Sequence, residues 1–392
     1  MCVLTGPNVN PMHNKLFLYI TICIFSVWVV IMSIVPAAPR ALLDANRPTL
    51  VPKNPLCVHT RLIDEVEEWK IQKSLELAQE MGVTAIVEFF PWAYIEPSPG
   101  QYDWQQADKI MMHANHLNIR VIARLGLVPA WALGAEEDRQ TSNYLIPEYD
   151  ADFANFATRF AERYSDQIQQ IIIWNEPNLS FEWGFQAVDS GRYVDLLRTV
   201  YPAIKAVQPQ MQVLAGALAP TLETAGSASA LNELDYLNGM YEAGAMSYFD
   251  ALAVHTYGFA SPPGEAPSED VLNFRRVELL RTIMEENGDT EKNIYITETG
   301  WNDHPRAISS VTPAQRADYT VEAYRYADTN WPWLEDMCIW VFRYPVTTYS
   351  VRDNFALLNA AFDPKPIYFA LQAYAFDEEQ DEDLWYPAPI SN

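Results

Sequence analysis

The chain predicts an α/β fold, a single (β/α)8 (TIM) barrel preceded by an N-terminal hydrophobic membrane segment. Two observations carry the barrel. Apolar, β-branched runs alternate with amphipathic stretches eight times between residues 56 and 376, and strict alternation of this kind gives a parallel sheet covered by helices. Two of those runs also end in a glutamate just before a turn, IIIWNEPN at 171–178 and IYITETGW at 294–301. C-terminal strand ends are where such barrels keep their chemistry. The length of 392 residues leaves room for a barrel and a leader.

In chain order, strand one is read at 57–62 and its helix at 64–80, capped by Gly82. Strand two (84–90) runs into PWAYIEPSPGQYDW, followed by a helix at 105–117. Strand three (120–125) leads to a long loop carrying Trp131, then a helix at 150–164 and the fourth strand with Glu176. Helix four at 192–207 and strand five at 211–216 precede helix five at 231–242 and strand six at 251–255. Helix six at 269–286, strand seven at 293–297 and helix seven at 313–326 follow. Strand eight (337–342) and a closing helix at 366–375 complete the circuit.

The first fifty-five residues stand apart. After an extension at 1–15, residues 16–35 (LFLYITICIFSVWVVIMSIV) carry no charge. That length matches a membrane-spanning helix of about 20 residues and exceeds a signal-peptide core of about 7–15. Val35-Pro36-Ala37 offers a cleavage site, so an anchor and a removed signal peptide both stay open. Either one exports the domain, giving an extracytoplasmic protein, membrane-anchored or secreted. Residues 36–55 hold five prolines and read as an extended linker. The barrel occupies 56–376, and 377–392 form an acidic tail.

Composition excludes some functions. A net charge of −25 argues against a nucleic-acid partner. The 12 Trp and 21 Tyr suit sugar rings, whose flat C–H faces stack on aromatic planes, although most must be core. Cys57 and Cys338 fall on strands one and eight, neighbours in a closed barrel. A disulfide is one reading, and two small buried thiols are the expected state. His113 and His116 lie on a helix without a companion carboxylate motif and read as a solvated face. No phosphate-cradling glycine loop and no nucleophile elbow is present, so no metal or organic cofactor is expected.

Alternate strand residues face opposite sides. Glu176 would then share a face with Trp174 and Ile172, and Glu298 with Ile296 and Ile294. Ala253, His255 and Tyr257 share another, as do Cys338 and Trp340. Four strands thus aim Glu176, His255, Tyr257, Glu298 and Trp340 at one rim.

The Trp-Asn-Glu-Pro element, with a later strand ending Thr-Glu-Thr-Gly-Trp, resembles the clan of retaining (β/α)8-barrel glycoside hydrolases that carry their acids on strands four and seven. WAYIEPSPGQYDW and RLGLVPAWA are most similar to family 39 and related bacterial members. The resemblance implies that Glu176 is the acid/base and Glu298 the nucleophile. It further implies that Asn175 hydrogen-bonds the sugar 2-hydroxyl, that Tyr257 orients the nucleophile with His255 beside it, and that Trp340 is the platform under the reacting sugar. Trp183 and Trp301 are weaker subsite candidates. Relatives carry an arginine on strand two that braces the nucleophile, and Ile86-Val87-Glu88-Phe89-Phe90 has none. Arg61 is expected to reach Glu298 or pair with Glu88, with Arg124 able to reach a similar place. The expected protein is a retaining hydrolase of a β-linked oligo- or polysaccharide. The rival is a barrel that has lost turnover and binds carbohydrate.

Overall fold

A computed structural model describes residues 51–134 and 141–377. The chain divides into two units, Met1–Ala45 and Asn46–Asn392, and the described residues all belong to the second. The membrane segment expected at 16–35 lies outside the described residues. Among those that are described, no helix is long and apolar enough to cross a membrane.

Eight parallel strands close into a barrel in sequence order. They are β1 (Leu56–His59), β2 (Val83–Pro91), β3 (Arg120–Gly126), β4 (Ile168–Ile173), β5 (Gln212–Leu218), β6 (Ala251–Tyr257), β7 (Ile294–Gly300) and β8 (Leu334–Ile339). The main helices are α1 (Glu68–Met81), α2 (Gln105–His116), α3 (Asp150–Arg163), α4 (Ser190–Val207), α5 (Glu233–Glu242), α6 (Val277–Glu286), α7 (Pro313–Asn330) and α8 (Pro366–Phe376).

Local chemistry sets the helix ends. Asp189 and Asn232 cap α4 and α5 by accepting from the amides of Arg192 and Asp235, and Thr312 with Gln315 forms a full capping box on α7. Gly82 ends α1 at φ 99°, and a Cβ there would come within 2.4 Å of Ala375 on α8. Only glycine meets both demands.

Some boundaries differ from the sequence reading. Leu62–Asp64 forms a 3-10 turn, so α1 starts later than expected. Its cause is Glu88, whose carboxylate accepts from the amides of Leu62 (2.9 Å) and Ile63 (3.1 Å) and from the Thr60 hydroxyl (2.5 Å). Glu88 therefore holds the turn after β1 and takes neither arginine. β4 begins earlier because Gln170, polar and unpromising in sequence, is satisfied by Arg120 (3.3 Å) and Gln212 (3.0 Å). β8 ends before Val341 and Phe342, whose amides turn to Phe355 and to His59. His113 is buried rather than solvated, with Nε2 3.1 Å from Glu68.

The barrel interior is a small layer that includes Cys57, Val87, Ile122, Ile172, Leu214, Ala253, Tyr295 and Cys338. A much larger apolar layer fills the space between strands and helices. Free thiols at Cys57 and Cys338 were the wrong expectation, because the two residues pair directly across the β1–β8 seam and form a disulfide. Lys53 and Asn54, from the stretch read as linker, donate their amides to Ala375 of α8.

Candidate active site

The C-terminal ends of β1, β3, β4, β6 and β7 build one polar cluster. Glu176 follows β4 in a turn that places Trp174 at φ 77° and Glu176 at φ 43°. L-residues adopt such angles only when the surroundings over-determine them. Here the Trp174 amide is bound to Leu125 O (2.9 Å), the Glu176 amide to Ala217 O (3.1 Å) and the Trp174 indole to Glu182 O (2.9 Å). Strand parity fails beyond Ile173. Ile172 faces the barrel interior as expected, whereas Trp174 joins the outer layer. Parity also fails on β7, where Tyr295, not Ile294 or Ile296, lies in the interior layer. A register shift re-aims the chain, so that Val254 pairs with Ile296 but His255 with Glu298. Bulges of this kind redirect side chains beside active sites.

Glu298 is nearly buried, its side chain 8% exposed. It accepts from Tyr257 Oη at Oε2 (2.8 Å) and from Arg124 Nη1 at Oε1 (3.0 Å). Arg124 thus comes from β3 to supply the positive neighbour that the strand-two segment lacks, and its guanidinium lies over the Phe89 ring. Arg61, by contrast, donates to Asp64 through Nε (2.8 Å) and Nη2 (2.5 Å). The expectation that it reaches Glu298 or pairs with Glu88 fails because Asp64, three residues on in the same turn, captures it.

Glu176 and His255 meet at 2.7 Å through Oε1 and Nδ1, and the same Nδ1 is 3.6 Å from Glu298 Oε2. Glu176 can donate to Nδ1 when protonated and accept from it when ionised, so the contact survives a proton transfer. Asn175 takes Arg124 Nη1 on its Oδ1 (2.6 Å) and hydrogen-bonds Glu182. Its amide is therefore fixed from two sides. Trp340 is half-buried at the end of β8 and meets His59 edge-on, with ring centroids 4.6 Å apart.

Trp183 and Trp301 are not at the rim surface; each is 1% exposed. Trp183 packs among Trp174, Tyr144 and Tyr193. Trp301 donates to Ser261 O (2.8 Å) and covers Gly258, where a Cβ would lie 1.8 Å from its ring. Both support the loops rather than a sugar.

Two residues were missed. His59 is buried, and burial with the nearby Arg124 charge pushes its imidazole well below its ordinary value, so it is neutral. Nδ1 lies 2.9 Å from Thr60 O, which makes Nδ1 the donor and leaves Nε2 as an acceptor without a hydrogen-bond partner among the described residues, 3.6 Å from Glu298. A hydroxyl could donate to it there. Its parity with Cys57 was the available sequence signal. Glu182, on the turn after the Asn-Glu-Pro element, is raised to about 7 by burial and then by the Glu176 charge. Asn143 Nδ2 donates to it at 3.1 Å. Nothing in the motif marks it.

Glu176, His255 and Glu298 offer atoms within 4.8 Å of one another, a spacing open to a metal ion. The donor set fits one poorly, since both Glu298 oxygens already accept hydrogen bonds and one of the donors is a guanidinium.

Comparison with known proteins gives a consistent class. A family model described as beta-galactosidase, glycoside hydrolase family 42, matches residues 63–208. A beta-galactosidase from Arthrobacter sp. is 35% identical over 71 residues, which is 17% of this chain and 10% of that protein. Among solved structures, a family 39 glycoside hydrolase from Bacteroides cellulosilyticus WH2 superposes with a TM-score of 0.63 at 21% identity, over 82% of this chain and 62% of that one. An exo-beta-1,4-mannosidase from Opitutaceae bacterium strain TAV5 gives 0.53 at 18%, over 82% and 59%. The chain has the fold of the (β/α)8 glycoside hydrolases, and the clan read from its motifs is the one these comparisons return. The chain spans only a tenth of the beta-galactosidase and about three fifths of each of these two solved proteins.

Proposed function

We infer that this protein is a retaining glycoside hydrolase of β-linked oligo- or polysaccharides, working by double displacement between two glutamates. One observation supports the reading: an oxygen of Glu176 and an oxygen of Glu298 come within 4.8 Å of each other at the barrel mouth, with His255 Nδ1 2.7 Å from the first carboxylate and 3.6 Å from the second. So close an approach suits a retaining pair, whose carboxyl groups stand about 5–5.5 Å apart, better than an inverting pair at about 6.5–9.5 Å with a water between them. In the first step Glu298 attacks the anomeric carbon while Glu176 gives its proton to the departing oxygen. Water deprotonated by Glu176 then releases the sugar from Glu298. Arg124 and Tyr257 hold the nucleophile on two oxygens, and His255 holds the acid/base. Trp340 and the free His59 nitrogen would receive the sugar, with Asn175 close to its 2-hydroxyl.

The binding-only alternative drew its support from the missing strand-two arginine, and Arg124 now supplies that charge. Export is the matching location. The uncharged stretch at 16–35 favours it, as does a disulfide, which persists in oxidising compartments. The test is a panel of chromogenic β-glycosides with NMR of the first-formed anomer. A β-anomer first is expected. An α-anomer first overturns the nucleophile assignment, and no turnover on any member favours the binding reading.

A further inference from the structure

A hollow of about 410 Å³ opens beside Tyr257, between the loops that follow β6, β7 and β8. It lies within the range of small-molecule sites, about 300–1,000 Å³. Its walls include Phe259, Phe355, Ala307, Ile308 and Val351. Phe259 and Phe355 meet the Tyr257 ring edge-on at 6.4 and 5.6 Å, so one aromatic wall runs from the Glu298 carboxylate into the hollow. Ile308 is fully exposed and Val351 is exposed at its rim.

Of the polar side chains in this wall, Tyr257 and Asn302 are already committed, and Ser309 is exposed to solvent at the rim. The Tyr257 hydroxyl serves Glu298. Asn302 donates to Val351 O (2.7 Å) and accepts from the His304 amide (2.8 Å). A sugar ring placed here would find few partners for its hydroxyls along the Phe259, Phe355 and Ala307 wall, which is unfavourable. A hydrocarbon would lose nothing.

We propose that this hollow receives an apolar aglycone, so that the protein's substrates are β-glycosides of an alkyl, aryl or similar hydrophobic alcohol. The proposal rests on the glycosidase reading and extends it. The leaving oxygen must sit at Glu176, and the partner of Glu176, His255, is on the same strand as Tyr257, two residues away. Tyr257, which lines the hollow and donates to Glu298, is the residue the hollow and the site share, and an aglycone directed along it enters the hollow.

The test is calorimetric titration of Glu298→Gln protein, which does not turn over, with methyl and octyl β-D-galactoside and β-D-glucoside below their micellar concentrations. Each buried methylene is worth about fourfold in affinity, so octyl glycosides should bind at least about 30-fold more tightly than methyl ones. Adding Ile308→Asp, at an exposed position, or Ala307→Trp, which fills the hollow, should cut that ratio to about fivefold or less. In the active protein Ile308→Asp should leave turnover of a methyl glycoside unchanged. Equal affinity for octyl and methyl glycosides, or a ratio that survives both substitutions, overturns the proposal. Turnover of 4-nitrophenyl glycosides by the unmodified protein decides the glycosidase reading separately.

Discussion

Arg124 Nη1 stands 3.0 Å from Glu298 Oε1 and 2.6 Å from Asn175 Oδ1, so one guanidinium nitrogen ties the strand-seven carboxylate to the residue before the strand-four one. Arg124→Met should cut turnover by about 10²-fold or more, the loss typical of one positioned electrostatic donor. Arg61→Met should keep its turnover and pH profile and lose at most about 1 kcal/mol of stability, as a partly exposed pair with Asp64 implies. Steady-state kinetics and thermal melts of the two variants check this. The opposite ranking would return the bracing role to Arg61.

The two glutamates should fail differently. Glu176→Ala should lose most on poor leaving groups and little on activated aryl glycosides. Azide should then restore rate and give a β-glycosyl azide. Glu298→Ala should lose turnover on every substrate, and any azide product should be the α-anomer. Product NMR distinguishes the two. Equal losses without rescue in both would argue against the double displacement.

Glu182 gives a pH dependence with a definite sign. Its carboxyl is raised to about 7 in the fold, whereas an unfolded glutamate titrates at about 4.3. Between those values the native state binds more protons than the unfolded one, so this group makes stability fall as pH rises through that window. Below it the penalty is absent, and above it the penalty is complete. Glu182→Gln should flatten the melting temperature between pH 5 and 8. Unchanged melts would show that Glu182 is ionised throughout that range.

Much of this was legible from sequence, and the failures have physical causes. The eight strands and the glutamates at two of their ends follow from apolar runs and turn residues, which are local properties. Parity reached His255 and Tyr257 because β6 stays regular to its end. It failed at Trp174 and at Glu298 because a left-handed turn and a register shift break the period of two. Trp183 and Trp301 could be read only as weaker subsite candidates, because burial of an indole on a loop depends on distant partners such as Tyr144 and Gly258. Arg61 was captured by Asp64 at short range, and Arg124 was freed for Glu298 by a crossing of the barrel mouth that no sequence spacing encodes.

Removing the Cys57–Cys338 bond, by Cys338→Ser or by reduction, should lower unfolding free energy by about 2–5 kcal/mol, the usual cost of losing a native disulfide. Denaturant melts with and without reductant check it. Indifference to reductant would mean that the thiols are free.

That bond has a mechanical side. The two sulfurs join residues 281 positions apart. A pull applied between the two ends of the chain passes through the sulfur bridge and bypasses nearly the whole barrel. Stretching can then draw out only the segments outside the bridge. α8, which lies beyond Cys338, would peel away from Gly82 and the start of the barrel, while both glutamates remain inside a covalent ring that tension cannot lengthen.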